Sequence, residues 1–193
     1  MKNLIFIILA ILISSCSEKK QGDHITGHFV INGTLPSKQF DGTLVYLVPV
    51  IGDNPSNVDS TVIRDGKFTL EGDTERVSIL RLGLMNRQKV QELLVVTEKG
   101  IITAKLDTNS IGSGTKQNVI LQQWKDATIK NNIAYAQLQN AKQKGITGLG
   151  IDMFQQNVDK SAARLDSITE SIKCSKYTTL SIFMFHITGM KWK

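Results

Sequence analysis

Several residue patterns typical of catalytic or metal-binding proteins are missing from this sequence. Its two cysteines, Cys16 and Cys174, lie far apart, so the chain contains no Cys-x-x-Cys redox motif. The three histidines, His24, His28 and His186, include no pair at metal-ligand spacing with carboxylate or cysteine support, so we predict neither a metal site nor a cofactor. On these grounds we predict no catalytic residues and a chain that is not an enzyme.

Dense basic runs are missing as well. The chain has 23 Lys and Arg residues against 17 Asp and Glu, a formal net charge of +6, but the basic residues are scattered. A stacking surface for nucleic acid needs basic and aromatic side chains interleaved, and the sequence lacks that pattern. We therefore exclude nucleic acid as a partner.

The N-terminal apolar run is too short to span a membrane. Lys2 precedes an apolar stretch at 4–13, about ten residues, whereas a spanning helix needs about 20. A basic start, a short apolar stretch and small residues at the end are the layout of a secretory signal peptide. We predict that residues 1–15 direct export and are removed.

The end of this segment, Ile13-Ser14-Ser15-Cys16, resembles the lipobox of bacterial lipoproteins. The resemblance implies that Cys16 is the lipidation site, carrying diacylglycerol and fatty acids such as palmitate, and that the membrane is a partner through this anchor. A buried structural cysteine is the alternative for Cys16. Lipidation would leave Cys174 alone, so no disulfide framework is expected. The segment 16–26 is interpreted as the lipidated cysteine followed by a flexible tether of mainly polar residues.

The region 27–115 has the texture of antiparallel β structure. Short alternating or apolar runs are separated by Gly, Asp and Asn about every ten residues. We predict a mainly β fold with C-terminal helices: an antiparallel β-sandwich of about seven strands followed by two helices. The predicted strands are 27–35, 42–50, 60–64, 67–71, 77–84, 92–97 and 101–107.

Two turns are predicted to close β-hairpins. Asp65-Gly66 supplies the positive φ angles that a tight hairpin turn needs, and 98–100 joins the next pair. In the strand after Gly66, Phe68 and Leu70 fall on one face, with polar residues on the other. We expect the Phe68 face to be buried.

Helical periodicity follows a loop at 110–115. We predict a helical pair at 116–173, its helices at 117–144 and 152–173, antiparallel to one another. The predicted apolar stripe of the first helix comprises Leu121, Trp124, Thr128, Ile133 and Leu138, and that of the second comprises Phe154, Val158, Leu165, Ile168 and Ile172. Trp124 and Tyr135 on the first helix are interpreted as packing residues, a partner groove being the alternative. The sequence at 112–116, GSGTK, is interpreted as a sheet-to-helix turn, because it lacks the full spacing of a phosphate-binding loop.

Several motifs together resemble a lipoprotein domain of unknown function found in Gram-negative anaerobes, which often precedes a thioredoxin-like domain of the TlpA and ResA type. The motifs are GHFVINGTL at 27–35, VYL at 45–47, DSTVIRDGKFTLEG at 59–72, VVTEKGIIT at 95–103 and GSGT at 112–115. The resemblance covers about 25–173. In full-length relatives the helical pair leads into a thioredoxin fold with Trp-Cys-x-x-Cys, a motif that this sequence lacks.

The resemblance implies a membrane-anchored envelope lipoprotein acting as a non-catalytic accessory or docking domain, with an envelope protein as a further partner. Two alternatives remain: an independent ligand-binding lipoprotein of the periplasm or cell surface, its ligand unknown, and a fragment of a thioredoxin-like oxidoreductase. Inner and outer membrane both stay open.

The segment 174–193 departs from the relatives' usual continuation, and we hypothesise a frameshift or truncation there. Its apolar stretch at 180–190 is too short to span a membrane and fits a strand, a docked segment or disorder. Cys174 is interpreted as an incidental thiol, the alternative being a redox thiol.

Overall fold

The computed structural model describes residues 27–52, 55–83, 86, 88–175 and 178–188. The predicted signal peptide at 1–15, the lipidation site and tether at 16–26, and His24 within that tether lie outside these residues. Within the described ranges, every helix is too short or too polar to cross a membrane.

Among the described residues, eight strands form two four-stranded sheets, which confirms the prediction of a mainly β fold followed by helices. The strands are β1 Phe29–Thr34, β2 Leu44–Pro49, β3 Asp59–Val62, β4 Lys67–Gly72, β5 Val77–Leu82, β6 Leu93–Val96, β7 Gly100–Lys105 and β8 Ile111–Ser113. Sheet A has the order β4-β1-β7-β8, and sheet B has the order β3-β2-β5-β6.

The predicted count of about seven strands is one fewer than the eight of the described residues, and the predicted antiparallel pairing fails between β1 and β7. Strand β8 forms inside the segment predicted as a loop, where Ile111 pairs with Lys105 and Ser113 with Thr103. At three residues it is too short to show alternation in the sequence. Strands β1 and β7 run parallel, because the chain reaches β7 from the other sheet and not by a hairpin from β1.

The two predicted hairpins are turns between sheets, which corrects the sequence interpretation. Asp65 and Gly66 do adopt positive φ angles of 52° and 66°. However, β3 belongs to sheet B and β4 to sheet A, so only the Arg64–Lys67 bridge joins the two arms. The turn at 98–100 likewise carries the chain from sheet B to sheet A.

One hydrophobic cluster receives side chains from both sheets. The buried face of β4 is the predicted one, since Phe68 and Leu70 are 5% and 6% exposed. A Cβ atom on Gly33 would lie 1.9 Å from the Phe68 ring, so that ring packs over β1 only because residue 33 is glycine. The cluster comprises Phe29, Ile31, Phe40, Val45, Leu47, Ile63, Phe68, Leu70, Leu80, Leu82, Val90, Leu93, Val95, Ile102, Ala104 and Leu106.

In the described part of the chain, three helices follow the sheets, where two were predicted. They are α1 Lys116–Gln143, α2 Leu149–Cys174 and α3 Thr179–Thr188. The additional helix, α3, forms in the segment that the sequence left open between strand, docked segment and disorder. The apolar side chains of α3 itself lie on most sides of the helix. Its sequence therefore shows no single apolar stripe that would indicate a helix.

The first two helices are antiparallel, as predicted. Trp124 Nε1 donates to Thr169 Oγ1 at 3.1 Å, and Ser161 Oγ lies 3.0 Å from Asn131 Oδ1. Residues later in α1 therefore lie beside residues earlier in α2.

Candidate functional site

A second hydrophobic cluster joins the three helices to sheet B. Leu180, Phe183 and Met184 of α3 are at most 5% exposed and enter this cluster. The segment after 174, which looks atypical in the sequence, therefore contributes buried side chains to the fold. The cluster comprises Val77, Val96, Leu121, Ala127, Ile168, Ile172, Leu180, Phe183 and Met184, with Val50, Leu94, Ile120, Trp124 and Leu165 packed against it.

A carboxylate from the β6–β7 turn caps the start of α1. Thr115 occupies the N-cap position but makes no side-chain capping bond. Instead Glu98 Oε1 accepts hydrogen bonds from the backbone N–H groups of Gln117 at 2.5 Å and Asn118 at 3.3 Å. A negative charge at a helix N-terminus satisfies free N–H groups and interacts favourably with the helix dipole. This bond fixes α1 to the edge of sheet B.

Gln117 then links α1 to α3. Its Nε2 donates to Glu75 Oε1 at 2.9 Å, and its Oε1 accepts from the backbone N–H of Leu180 at 2.9 Å. Thr179 Oγ1 also donates to Glu75 Oε1, at 2.6 Å. Glu75 is only 8% exposed, so these bonds provide partners for a carboxylate that has left water. We call Glu75, Glu98, Gln117, Asn118 and Thr179 the basal network.

Asn118 completes the basal network from a position that is 2% exposed. Its Oδ1 accepts from Val96 N at 2.9 Å, and its Nδ2 donates to Val96 O at 2.7 Å. The amide thus replaces a neighbouring strand at the outer edge of β6. It closes an edge that would otherwise present unpaired backbone groups.

Replacing Asn118 by alanine should destabilise the protein by about 2 to 4 kcal/mol, because both Val96 backbone groups lose their partner while staying buried. Equilibrium urea unfolding measures this change. Asn140→Ala is the matched control: Asn140 is an exposed position of the same helix, and it should change stability by less than about 0.5 kcal/mol. Equal effects of the two substitutions would contradict the role given to Asn118.

The residues through which α1 and α2 face each other recur every three or four positions, as in a heptad repeat. We call these residues the seam. None of its members is exposed, whereas the intervening residues are mostly exposed. Such spacing is that of an antiparallel coiled-coil hairpin. On α1 the seam comprises Ile120, Trp124, Ala127, Asn131, Ala134, Leu138 and Ala141, and on α2 Phe154, Val158, Ser161, Leu165, Ile168 and Ile172.

The two aromatic residues singled out on α1 behave differently. Trp124 packs against the second cluster as predicted. Tyr135 is 56% exposed, so the prediction that it packs in the core was wrong. Ile133, placed on the predicted apolar stripe, is 52% exposed, because the seam turns Asn131 and Ala134 inward instead.

The remaining residues singled out by sequence are dispersed. Cys174 is the last residue of α2 and is exposed, and His186 is exposed on α3. His28, just before β1, has its Nδ1 3.0 Å from Oδ1 of Asp73, just after β4, and both side chains are exposed. The 112–116 segment is a sheet-to-helix turn as predicted, since β8 ends at Ser113 and α1 begins at Lys116. Among the described residues, no three His, Cys, Asp or Glu side chains gather as metal ligands would.

Small cavities adjoin the basal network and the helices. One of about 270 Å³ separates α3 from the start of β5 and has Glu75 and Arg76 in its wall. Another of about 190 Å³ lies between α1 and β6 and includes Lys125. Burial lowers the pKa of Lys125, with Asp126 acting in the opposite direction. The Lys125 ammonium donates a hydrogen bond to the Ser110 carbonyl.

A family described as Domain of unknown function (DUF4369) matches residues 29–145, more than half of the chain. The chain belongs to the DUF4369 family. This confirms the predicted resemblance to a domain of unknown function. No curated protein and no solved structure matches the chain significantly.

The DUF4369 match covers both sheets and α1, and it ends at Gly145, just after α1. Helices α2 and α3 follow it and pack on the DUF4369 region through the second cluster. Sequence reasoning missed the basal network, because Glu75, Gln117 and Thr179 are separated by 42 and 62 positions and share no motif. On α2 the heptad seam was visible in the sequence as spacings of three, four and seven residues, but on α1 three of the seven seam positions are alanines.

Proposed function

We propose that this chain is an envelope lipoprotein, anchored by lipid at Cys16 to the inner or outer membrane and facing the periplasm or cell surface. Support comes from the pattern of Lys2, the apolar run at 4–13 and Ile13-Ser14-Ser15-Cys16. In this proposal the two sheets form a β-sandwich, since both supply side chains to one cluster. The sheets and helices act together as a non-catalytic docking module of the kind that accompanies thiol–disulfide exchange domains.

The observation that carries the docking role is the way the helical hairpin is built. Helix α1 has 28 residues and is about 42 Å long. Its first turns are fixed to sheet B by Glu98 and Asn118. Farther out, the buried Ala134, Leu138 and Ala141 belong to neither core cluster of the described residues and lie on the seam with α2.

This construction makes the hairpin a rigid arm. Two large apolar side chains are exposed on opposite flanks of α1, Ile133 at 52% and Tyr135 at 56% exposure. Tyrosine is enriched where proteins bind one another, because one end of its ring is apolar and the other polar. A partner is therefore expected on the flank of α1 that carries Tyr135.

Site-specific photo-crosslinking in the envelope of living cells tests the docking role. A photoreactive amino acid at Tyr135 should give a discrete crosslink to a thiol–disulfide exchange protein. The same amino acid at Thr69, exposed on sheet A, is the matched control and should give none. If neither position crosslinks to protein, or if Thr69 alone does, the docking role of the hairpin is wrong.

One observation favours a ligand-binding protein as a second candidate. On the outer face of sheet A, Asn32 lies between Thr69 and Thr103 on the neighbouring strands, and all three side chains are exposed. Ile101, 64% exposed, lies on the same face. A flat strip of hydroxyl and amide groups beside an apolar side chain suits a glycan or an extended peptide. Capture of either ligand at Thr69 would support this second candidate.

The third alternative, a fragment of an oxidoreductase, is tested at the gene. The DNA past codon 173, read in all frames, would encode Trp-Cys-x-x-Cys if the chain derives from an interrupted thioredoxin-like protein. The same reading tests the hypothesis that residues 174–193 arise from a frameshift.

A further inference from the structure

The tip of the helical hairpin is apolar and exposed. Helix α1 ends at Gln143 and α2 begins at Leu149, and the intervening turn uses positive φ angles at Gly145 and Gly148. Leu149 is 84% exposed, the highest exposure among the large hydrophobic side chains of the described residues. Met153 is 67% exposed and Ile146 is 37% exposed. These three side chains form what we call the hairpin tip.

The electrostatic setting of the hairpin tip is positive. From 127 to 151 the sequence contains no Asp or Glu, but it contains Lys130, Lys142 and Lys144. All three lysines are exposed. The first acidic residue after the turn is Asp152, in the first turn of α2, where it favours the helix dipole. Two lysines therefore flank the apolar side chains on the α1 side of the turn.

We infer that the hairpin tip is a membrane-docking site for anionic phospholipid. Leu149 and Met153 would insert at the boundary between headgroups and acyl chains, where apolar side chains leave water. Lys142 and Lys144 would interact with the lipid phosphates, because basic residues beside an apolar surface are attracted to an anionic leaflet. A narrow convex tip enters a fluid lipid surface without needing a shaped pocket.

The size of the tip favours lipid over a protein partner. A stable protein interface uses about 20 to 30 residues on each side. The hairpin tip offers three exposed apolar side chains and two lysines on a single turn, a surface too small for such an interface. Insertion into a bilayer needs no such area, since each apolar side chain is solvated individually by the acyl chains.

This inference goes beyond the proposed anchor. Lipid at Cys16 would hold one end of the protein at the membrane, whereas the tip would hold the helical hairpin against the same surface. Such a second contact would fix the orientation of the arm and of its exposed Tyr135 relative to the membrane. Each lysine near an anionic surface strengthens membrane association about fivefold.

Depth-dependent fluorescence quenching in the full-length protein tests the inference. In a Cys174→Ser background, Thr147→Cys places a single free thiol in the turn for an environment-sensitive dye, while Cys16 is left unchanged. Thr69→Cys on sheet A is the matched control position. The protein is reconstituted in vesicles of phosphatidylethanolamine and phosphatidylglycerol, with quenchers placed at shallow depth in the acyl chains.

The dye at 147 should be quenched and its emission shifted to the blue, and the dye at 69 should not. Adding Lys142→Glu and Lys144→Glu, or replacing the anionic lipid by phosphatidylcholine, should remove the quenching at 147. Equal behaviour at 147 and 69 would overturn the inference, as would a blue shift that requires soluble envelope proteins and not lipid. Flotation of the same samples reports the anchor separately, so failure of the anchor and failure of the tip are distinguished.

Discussion

Replacing Met184 by alanine is expected to destabilise the protein by about 2 to 5 kcal/mol, the usual cost of truncating a large buried side chain and leaving a cavity. Met184 lies on α3 and is completely buried in the second cluster. Because that cluster also holds Val77 of sheet B and Ile172 of α2, the loss should lower the urea midpoint of the whole domain.

Ile182 provides the matched control two residues away. It lies on the same helix but is 48% exposed, so Ile182→Ala should cost less than about 1 kcal/mol. If neither substitution changes the midpoint, α3 does not contribute to the stability of the folded protein, and if both lower it equally, the difference in burial between Met184 and Ile182 is wrong. A large difference between them would show that the segment after 174 is part of the stable fold.

The faces of individual strands could be predicted from the sequence, but their partners could not. Alternation placed Phe68 and Leu70 inward, and the structure confirms this. The turn at Asp65-Gly66 was located correctly because glycine and aspartate tolerate positive φ. Whether the arms of such a turn stay paired or separate into two sheets depends on contacts far along the chain. No local signal distinguished a hairpin from a turn between sheets.

The helices show a similar limit. Helix α2 carries large apolar residues on its buried stripe, so Ile168 and Ile172 were placed correctly. The buried stripe of α1 uses alanines and Asn131, while Ile133 faces water. A small seam residue lets two helices approach closely, but it contributes little to a hydrophobicity pattern. The sequence therefore indicated the wrong face for part of α1.

The basal network could not be predicted at all. Glu75 lies just before β5, Gln117 lies in the first turn of α1, and Thr179 is the first residue of α3. Each is an ordinary polar residue in its local sequence, and the hydrogen bonds between them form only in the fold. Their role depends on the fold, because the Glu75 carboxylate needs hydrogen-bond donors from the protein only once burial has removed it from water. In contrast, the lipidation that we propose at Cys16 rests on sequence alone, because a lipobox consists of adjacent residues and does not depend on the fold.

The strongest effect is expected for Cys16→Ala. Removing the sulfur removes the only attachment point that the lipobox pattern offers, so the fatty acids are lost together. Each buried CH₂ group contributes about 0.8 kcal/mol to membrane affinity, and the loss of several chains changes a stable anchor to none. The hairpin tip would bind too weakly to replace it, and high salt would screen its lysines.

Cys174→Ala is the matched control, because Cys174 is the other cysteine of the sequence and is exposed at the end of α2. This variant should keep its lipid and its place in the membrane. The comparison therefore separates lipid attachment from any general effect of losing a thiol.

Metabolic labelling with palmitate, followed by flotation of membranes at high salt, tests the central claim most directly. The account predicts label in the wild-type protein and in Cys174→Ala, both floating with the membranes. It predicts no label in Cys16→Ala, which should remain in the soluble fraction. Palmitate label at the wild-type level in Cys16→Ala, or its absence from the wild-type protein, would contradict a lipid anchor at Cys16.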